Sequence, residues 1–129
     1  MAQITLSVRG MKPIPWGSNE MAWRKFIADQ ARAKFGQEKW EISAQTRFSM
    51  EVMFLMKEDN IQRADLDNLA KPVLDTLFRV RYAQVKDLSR TGALFSVDDD
   101  RVFKLLLEKQ VVHAADDEGI EVHMSWETD

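Results

Sequence analysis

Hydrophobic and polar positions alternate at the start of the chain, with Ile4, Leu6 and Val8 set against Thr5 and Ser7. Side chains in an extended segment point to opposite faces in turn, so this predicts a half-buried strand. Gly10 to Gly17, with Pro13 and Pro15 inside, breaks regular structure. Ser18 fits the N-cap of a helix running to Phe35, with Gly36 as its stop. Trp23, Phe26, Ile27 and Ala31 give that helix an apolar face. Arg24, Lys25 and Arg32 fall off it and are expected in solvent or near a polyanion.

A longer alternation follows. Phe48, Met50, Val52, Phe54 and Met56 share one face of a strand; Ser49, Glu51, Met53 and Leu55 share the other. The residues from Lys57 to Asn60 leave the strand, and Ile61 to Leu66 lead into a second helix over Asn68 to Val80. Pro72 is expected in its first turn, because a proline further in removes a backbone donor and crowds the preceding turn. Leu69, Val73, Leu77 and the stem of Arg81 form its apolar side. Residues 81–97 carry little pattern beyond a turn at Ser89-Arg90-Thr91-Gly92. Val102 to Val112 and Ile120 to Trp126 read as two strands joined at the polar turn Ala114–Gly119, an antiparallel hairpin. The order β-α-β-α-β-β predicts an α+β fold of two layers, with helices packed on a mixed sheet.

Length and composition narrow the class. The 129 residues fit one domain, residues 1–129, and a 45% hydrophobic fraction is ample for a core. The absence of cysteine excludes disulfides, thiolate zinc sites and cysteine nucleophiles. Met1 to Ile4 shows no basic stretch followed by an apolar one, so no leader is expected, and no apolar run is long enough for a membrane helix. His113 and His123, near the ends of the expected hairpin, are too few for a zinc site. The methionines read as core filler. Trp23 is expected in helix packing, whereas Trp16 in the loop is open to stacking on a base.

The informative stretch is Arg63-Ala64-Asp65-Leu66-Asp67-Asn68-Leu69-Ala70-Lys71-Pro72-Val73-Leu74-Asp75. Asp65 and Asp67, two apart, point the same way in extended chain. Asp67, Lys71 and Asp75, spaced by four, line one face of a helix. Asp98, Asp99 and Asp100 can bring a further carboxylate from elsewhere in the fold. Oxygen ligands beside an ammonium suit Mg²⁺, with Mn²⁺ as a substitute, and such a set can act on a phosphodiester. The same residues also have an ordinary reading. Asp65 or Asp67 can be a helix cap, Lys71 and Asp75 a plain i,i+4 pair, and Asp98 to Asp100 a solvated turn.

Net charge is −3, which by itself argues against a nucleic-acid partner. Asp65, Asp67, Asp75, Asp98, Asp99 and Asp100 are six of the 21 acids, and setting them aside leaves 15 against 18 Lys and Arg. A cation at those six would leave a mildly basic remainder.

The string Asp65-Leu66-Asp67-Asn68-Leu69-Ala70-Lys71, with Asp75 beyond it and an aspartate pair before Val102, resembles the RusA family of Holliday junction resolvases. The likeness is firmest from Arg63 to Leu106 and looser over the N-terminal strand, loop and helix. It implies a Mg²⁺-dependent endonuclease for branched DNA in recombination and repair, cytoplasmic, of bacterial or phage origin, and acting as a homodimer. It implies Asp65, Asp67 and Asp99 as metal ligands, with Asp98 or Asp100 as substitutes, and Lys71 as the lysine needed for cleavage. Arg63, Lys57, Arg24 and Lys25, with the loop from Arg79 to Arg90, are the candidates for phosphate contact. This chain departs from the pattern in the longer segment from Arg79 to Val97 and in carrying one base, Arg63, between Asn60 and Asp65. The alternatives are a non-catalytic nucleic-acid-binding or scaffold domain, and a nuclease for another branched or single-stranded substrate.

Overall fold

The computed structural model describes residues 1–79 and 91–127. The elements are β1 (Ala2–Arg9), α1 (Met21–Phe35), β2 (Phe48–Lys57), α2 (Glu58–Ile61), α3 (Leu66–Leu77), β3 (Val102–Val112) and β4 (Gly119–Trp126). Asp99–Arg101 and Ala115–Asp117 are single 3₁₀ turns. The fold is α+β with a mixed sheet, as the pattern predicts.

The sheet order is β1-β4-β2-β3. β4 pairs antiparallel with both β1 and β2, whereas β3 lies parallel to β2 at the edge. The expected β3–β4 hairpin is therefore absent. The residues between these strands carry the chain across β2, and β4 inserts into the middle of the sheet. The alternation of apolar residues sets which face of a strand is buried but says nothing about its neighbour, which is why the pairing was misread. His113 and His123 consequently do not face each other; His123 lies opposite Thr5, with Nδ1 3.1 Å from its hydroxyl.

One face of the sheet carries the core. Leu6 and Val8, the even residues of β2 from Phe48 to Met56, and Ile120, Val122, Met124 and Trp126 are all buried. Trp23, Ile27 and Ala31 of α1 and Leu69, Val73 and Leu77 of α3 belong to the same cluster. Trp23 thus packs, as expected. The other face carries the polar Thr5, Ser7, Glu51 and His123, with Met53 and Leu55 of β2 beside them. Gly119 is held at φ +153°, where a Cβ would overlap the Val8 carbonyl oxygen, so β1 and β4 can meet here only over a glycine.

Pro72 lies in the interior of α3 rather than in its first turn. A proline there cannot donate to the carbonyl four residues back, that of Asn68. The Trp16 amide of the Pro-rich loop donates to that carbonyl at 2.8 Å. The acceptor orphaned by the proline is thereby satisfied, and the loop is pinned beside the start of α3. At its other end, the Ala93, Leu94 and Phe95 amides donate to the Thr76 and Leu77 carbonyls. Leu94 and Phe95 are core residues, and the Phe95 ring stands 4.7 Å from that of Phe48. Part of the stretch that carried no pattern therefore builds the core. Arg81, and residues 80–90 of the expected phosphate-contacting loop, lie outside the described residues.

Arg24 corrects a further expectation. It is 1% exposed, not solvent-facing. Its guanidinium donates to the Thr76 hydroxyl at 3.2 Å, the Asp75 carbonyl at 3.3 Å and the Thr91 hydroxyl at 3.4 Å. Apolar periodicity places position 24 next to Trp23 on the boundary of the buried stripe, and the polar partners that accept it come from distant sequence. A buried cation that loses such partners is costly, and so are the partners without it. Arg24→Ala is expected to destabilise the protein by about 3 kcal/mol, and Lys25→Ala, an exposed residue paired to Asp29, by less than about 1 kcal/mol. Urea denaturation of the two variants checks this.

Candidate active site

Asp65 occupies the N-cap position of α3, but its side chain makes no capping hydrogen bond. The backbone carbonyl of Asp65 accepts the first helical bond from Leu69 at 3.0 Å. The capping explanation for this aspartate therefore fails, and its carboxylate is exposed, as is that of Asp67 two residues on, in the first turn of the helix. The i+4 spacing then places Lys71 above Asp75, with Nζ 3.6 Å from Oδ2. Lys71 is half-exposed and the Asp75 side chain is buried. Oδ2 of Asp75 has no hydrogen-bond partner. Burial pushes the Asp75 carboxyl above the ordinary aspartate range, against the pull of Lys71 and Arg24.

The turn Asp99–Arg101 meets this helix. Asp98 caps the turn, its carboxylate accepting the Asp100 amide at 3.4 Å. The turn is fixed from outside as well: the Arg101 guanidinium donates to the Thr46 and Gln45 carbonyls at 3.1 and 3.2 Å. Asp99 is half-buried there. Its carboxyl is pushed up from 3.8 to about 7, first by burial, then by a shared hydrogen bond and repulsion with Asp98, and by repulsion from Asp75, with Lys71 opposing. Asp98 and Asp99 of the triplet thus both act on Asp75, and Lys71 acts on Asp99.

A further carboxylate joins this wall. Glu20, at the N-cap position of α1, has a buried Oε2 with no hydrogen-bond partner. Burial raises its carboxyl above the ordinary glutamate range; Arg24 opposes this and Asp75 adds to it. The sequence offered no signal for Glu20. The expected cap, Ser18, is instead held in a turn by the bond from its amide to the Pro15 carbonyl at 3.3 Å, which starts the helix later.

The structure therefore brings Lys71 and Asp75 within electrostatic reach of Asp98 and Asp99 and also of Glu20. Asp65 and Asp67 project from the same helix one to two turns away. Among the described residues, no three carboxylates or imidazoles stand close enough together to hold a metal ion. Of the phosphate-contact candidates, Arg24 is removed by its burial, Lys57 is half-buried, Arg63 is exposed, and Lys25 is exposed but paired to Asp29. Trp16, 52% exposed and tethered by its amide to Asn68, adds an aromatic face beside the Asp67 turn.

Sequence comparison matches the chain to no family model and to no curated protein.

An acid whose carboxyl is raised on folding favours the folded state when protonated. Its contribution is complete below the unfolded value near 3.8 and is lost as pH rises through about 7. Without divalent cations, wild type is expected to lose stability relative to Asp99→Asn across that window, and the difference to level off above it. Thermal melts of both proteins against pH are the check; parallel curves would show that Asp99 is not in a carboxylate cluster.

Proposed function

We propose that this chain is a Mg²⁺-dependent endonuclease that cuts phosphodiester bonds in branched DNA. The observation that carries the reading is the crowding of Asp99 by Asp98 and Asp75 beside the Lys71 ammonium. Such a wall of carboxylates is unfavourable unless it takes up protons or a cation. Its donors are all oxygen, which fits Mg²⁺ or Mn²⁺. Asp99, Asp65 and Asp67 would hold the ion; the exposed, uncapped carboxylates on α3 are the ones available to complete a set that is not assembled beforehand. When bound, the ion supplies phosphoryl polarisation and an activated water.

The chain's own residues do the rest. Asp75, fixed by the Arg24 anchor at its backbone carbonyl, holds Lys71 at the helix surface, where the ammonium can orient the attacking water and neutralise charge on the developing phosphorane. Trp16 offers a stacking surface for a base next to the cut bond. Arg63 and Lys25 are candidates for flanking phosphates. A four-way junction has two-fold symmetry, so paired nicks call for two copies of the chain, a homodimer. The resemblance in the segment from Arg63 to Leu106 supports the junction as substrate and a role in recombination and repair.

The test is cleavage of a labelled four-way junction and a matched linear duplex, in Mg²⁺ and in chelator. Paired nicks in the junction alone are expected, abolished by chelator and by Asp67→Asn or Asp99→Asn. Lys71→Ala is expected to slow cutting on the order of 100-fold or more. Junction binding without cutting in any metal would replace this reading with a binding module, and equal cutting of the duplex would remove the junction preference. Mg²⁺ at neutral pH is also expected to raise the Tm of wild type but not of Asp99→Asn, because only the folded carboxylate set gains from the ion.

A further inference from the structure

β3 is an 11-residue strand with β2 on one side; among the described residues nothing pairs with its other edge. Six large apolar side chains are exposed among the described residues, and four of them, Phe103, Leu105, Leu106 and Val111, are on this strand. They occupy both of its faces, so the exposure belongs to the edge itself rather than to one uncovered surface. A long apolar edge of unpaired backbone groups is a template for a further strand, and charged residues are the usual protection against unwanted partners. The exposed charges here are Lys104 and Glu108, four residues apart and therefore on the same face, whereas the third charge, Lys109, is half-buried and donates to the Ile61 carbonyl at 2.9 Å.

We infer that β3 pairs antiparallel with β3 of a second copy, across a two-fold axis at Leu106. In a continuous sheet with the axis perpendicular to it, the residue on the axis faces its own copy, and each other residue faces the one equally far on the opposite side. With Leu106 on the axis, Lys104 lies opposite Glu108 of the second copy, and symmetry repeats the pair. Leu105 then meets Leu107, and Leu106 meets itself. Moving the axis to Leu105 sets Lys104 against Leu106 and Glu108 against Val102; moving it to Leu107 sets Glu108 against Leu106 and Lys104 against Gln110. Of these central registers, the one at Leu106 alone pairs the two opposite charges, so the residues that would repel a foreign strand select a second copy of this one. The result is an eight-stranded sheet with a 3₁₀ turn carrying Asp99 beyond each end of the joined strands. The inference stands on the strand edge and not on the nuclease reading, although it gives the two copies in that reading a surface to meet on.

Sedimentation equilibrium of the full chain, without DNA or divalent metal, tests it. Wild type is expected to be a dimer. Lys104→Glu, which sets two glutamates against two, is expected to raise the dissociation constant about 10-fold or more, and the double variant K104E/E108K to restore it to within about 3-fold. Both positions are exposed, so folding is not at stake. The chain has no cysteine, so a spin label on Gln110→Cys reports one distance; the register places the two backbone positions about 26 Å apart. A monomeric wild type at about 100 µM, or a dimer indifferent to reversal and swap, would overturn the inference. Either result leaves the cleavage assay to judge the nuclease reading separately.

Discussion

The buried guanidinium of Arg24 is the constraint on which the arrangement of the site depends. A cation removed from water has to be compensated where it lies. Here the compensation comes from the Asp75 carbonyl and the Thr76 and Thr91 hydroxyls, on two separate parts of the chain. Satisfying that charge locks α1 against the C-terminal half of α3 and holds the segment after Thr91 against the same helix end. Three consequences follow. Glu20 at the start of α1 comes beside Asp75, Asp75 is buried with its carboxyl turned to Lys71, and the chain entering the Asp98–Arg101 turn is directed toward the same wall.

The opposite end of α3 is arranged by a different shortage. Pro72 leaves the Asn68 carbonyl without its helical donor, and the Trp16 amide takes that place. The defect in the helix thus becomes the attachment point of the Pro-rich loop and puts an exposed tryptophan beside the Asp65–Asp67 turn. Both ends of one helix are in this way fixed by groups outside it, so the residues it presents, two exposed carboxylates and one ammonium, project from a rigid support.

Much of this was legible in the sequence, and the omissions have a physical pattern. Period-two alternation located β1, β2 and β4, an apolar run located β3, and α1 and α3 were found within a few residues, because burial on one face leaves a local signature. The place of β3 was not legible: its pairing with β2 rather than β4 is a long-range choice to which alternation is blind. Arg24 and Glu20 were misassigned or missed for the same reason, since a polar residue becomes a core or site residue through partners some 50 residues away in sequence. Asp65, Asp67, Lys71 and Asp99 were legible as a motif, and the structure ties Lys71 and Asp99 together through Asp75. It leaves Asp65 and Asp67 exposed at the head of the helix.

The account turns on one claim, that the head of α3 and the Asp98–Asp100 turn form a single cation site. Mn²⁺ titration followed by paramagnetic broadening of backbone amide signals tests it most directly. The account predicts that signals of residues 65–68 and 98–100 broaden first and together, and that Asp99→Asn abolishes the effect at both segments. Broadening centred on another acidic stretch, such as Glu58-Asp59 or Asp116-Asp117, or confined to one of the two segments, would contradict it.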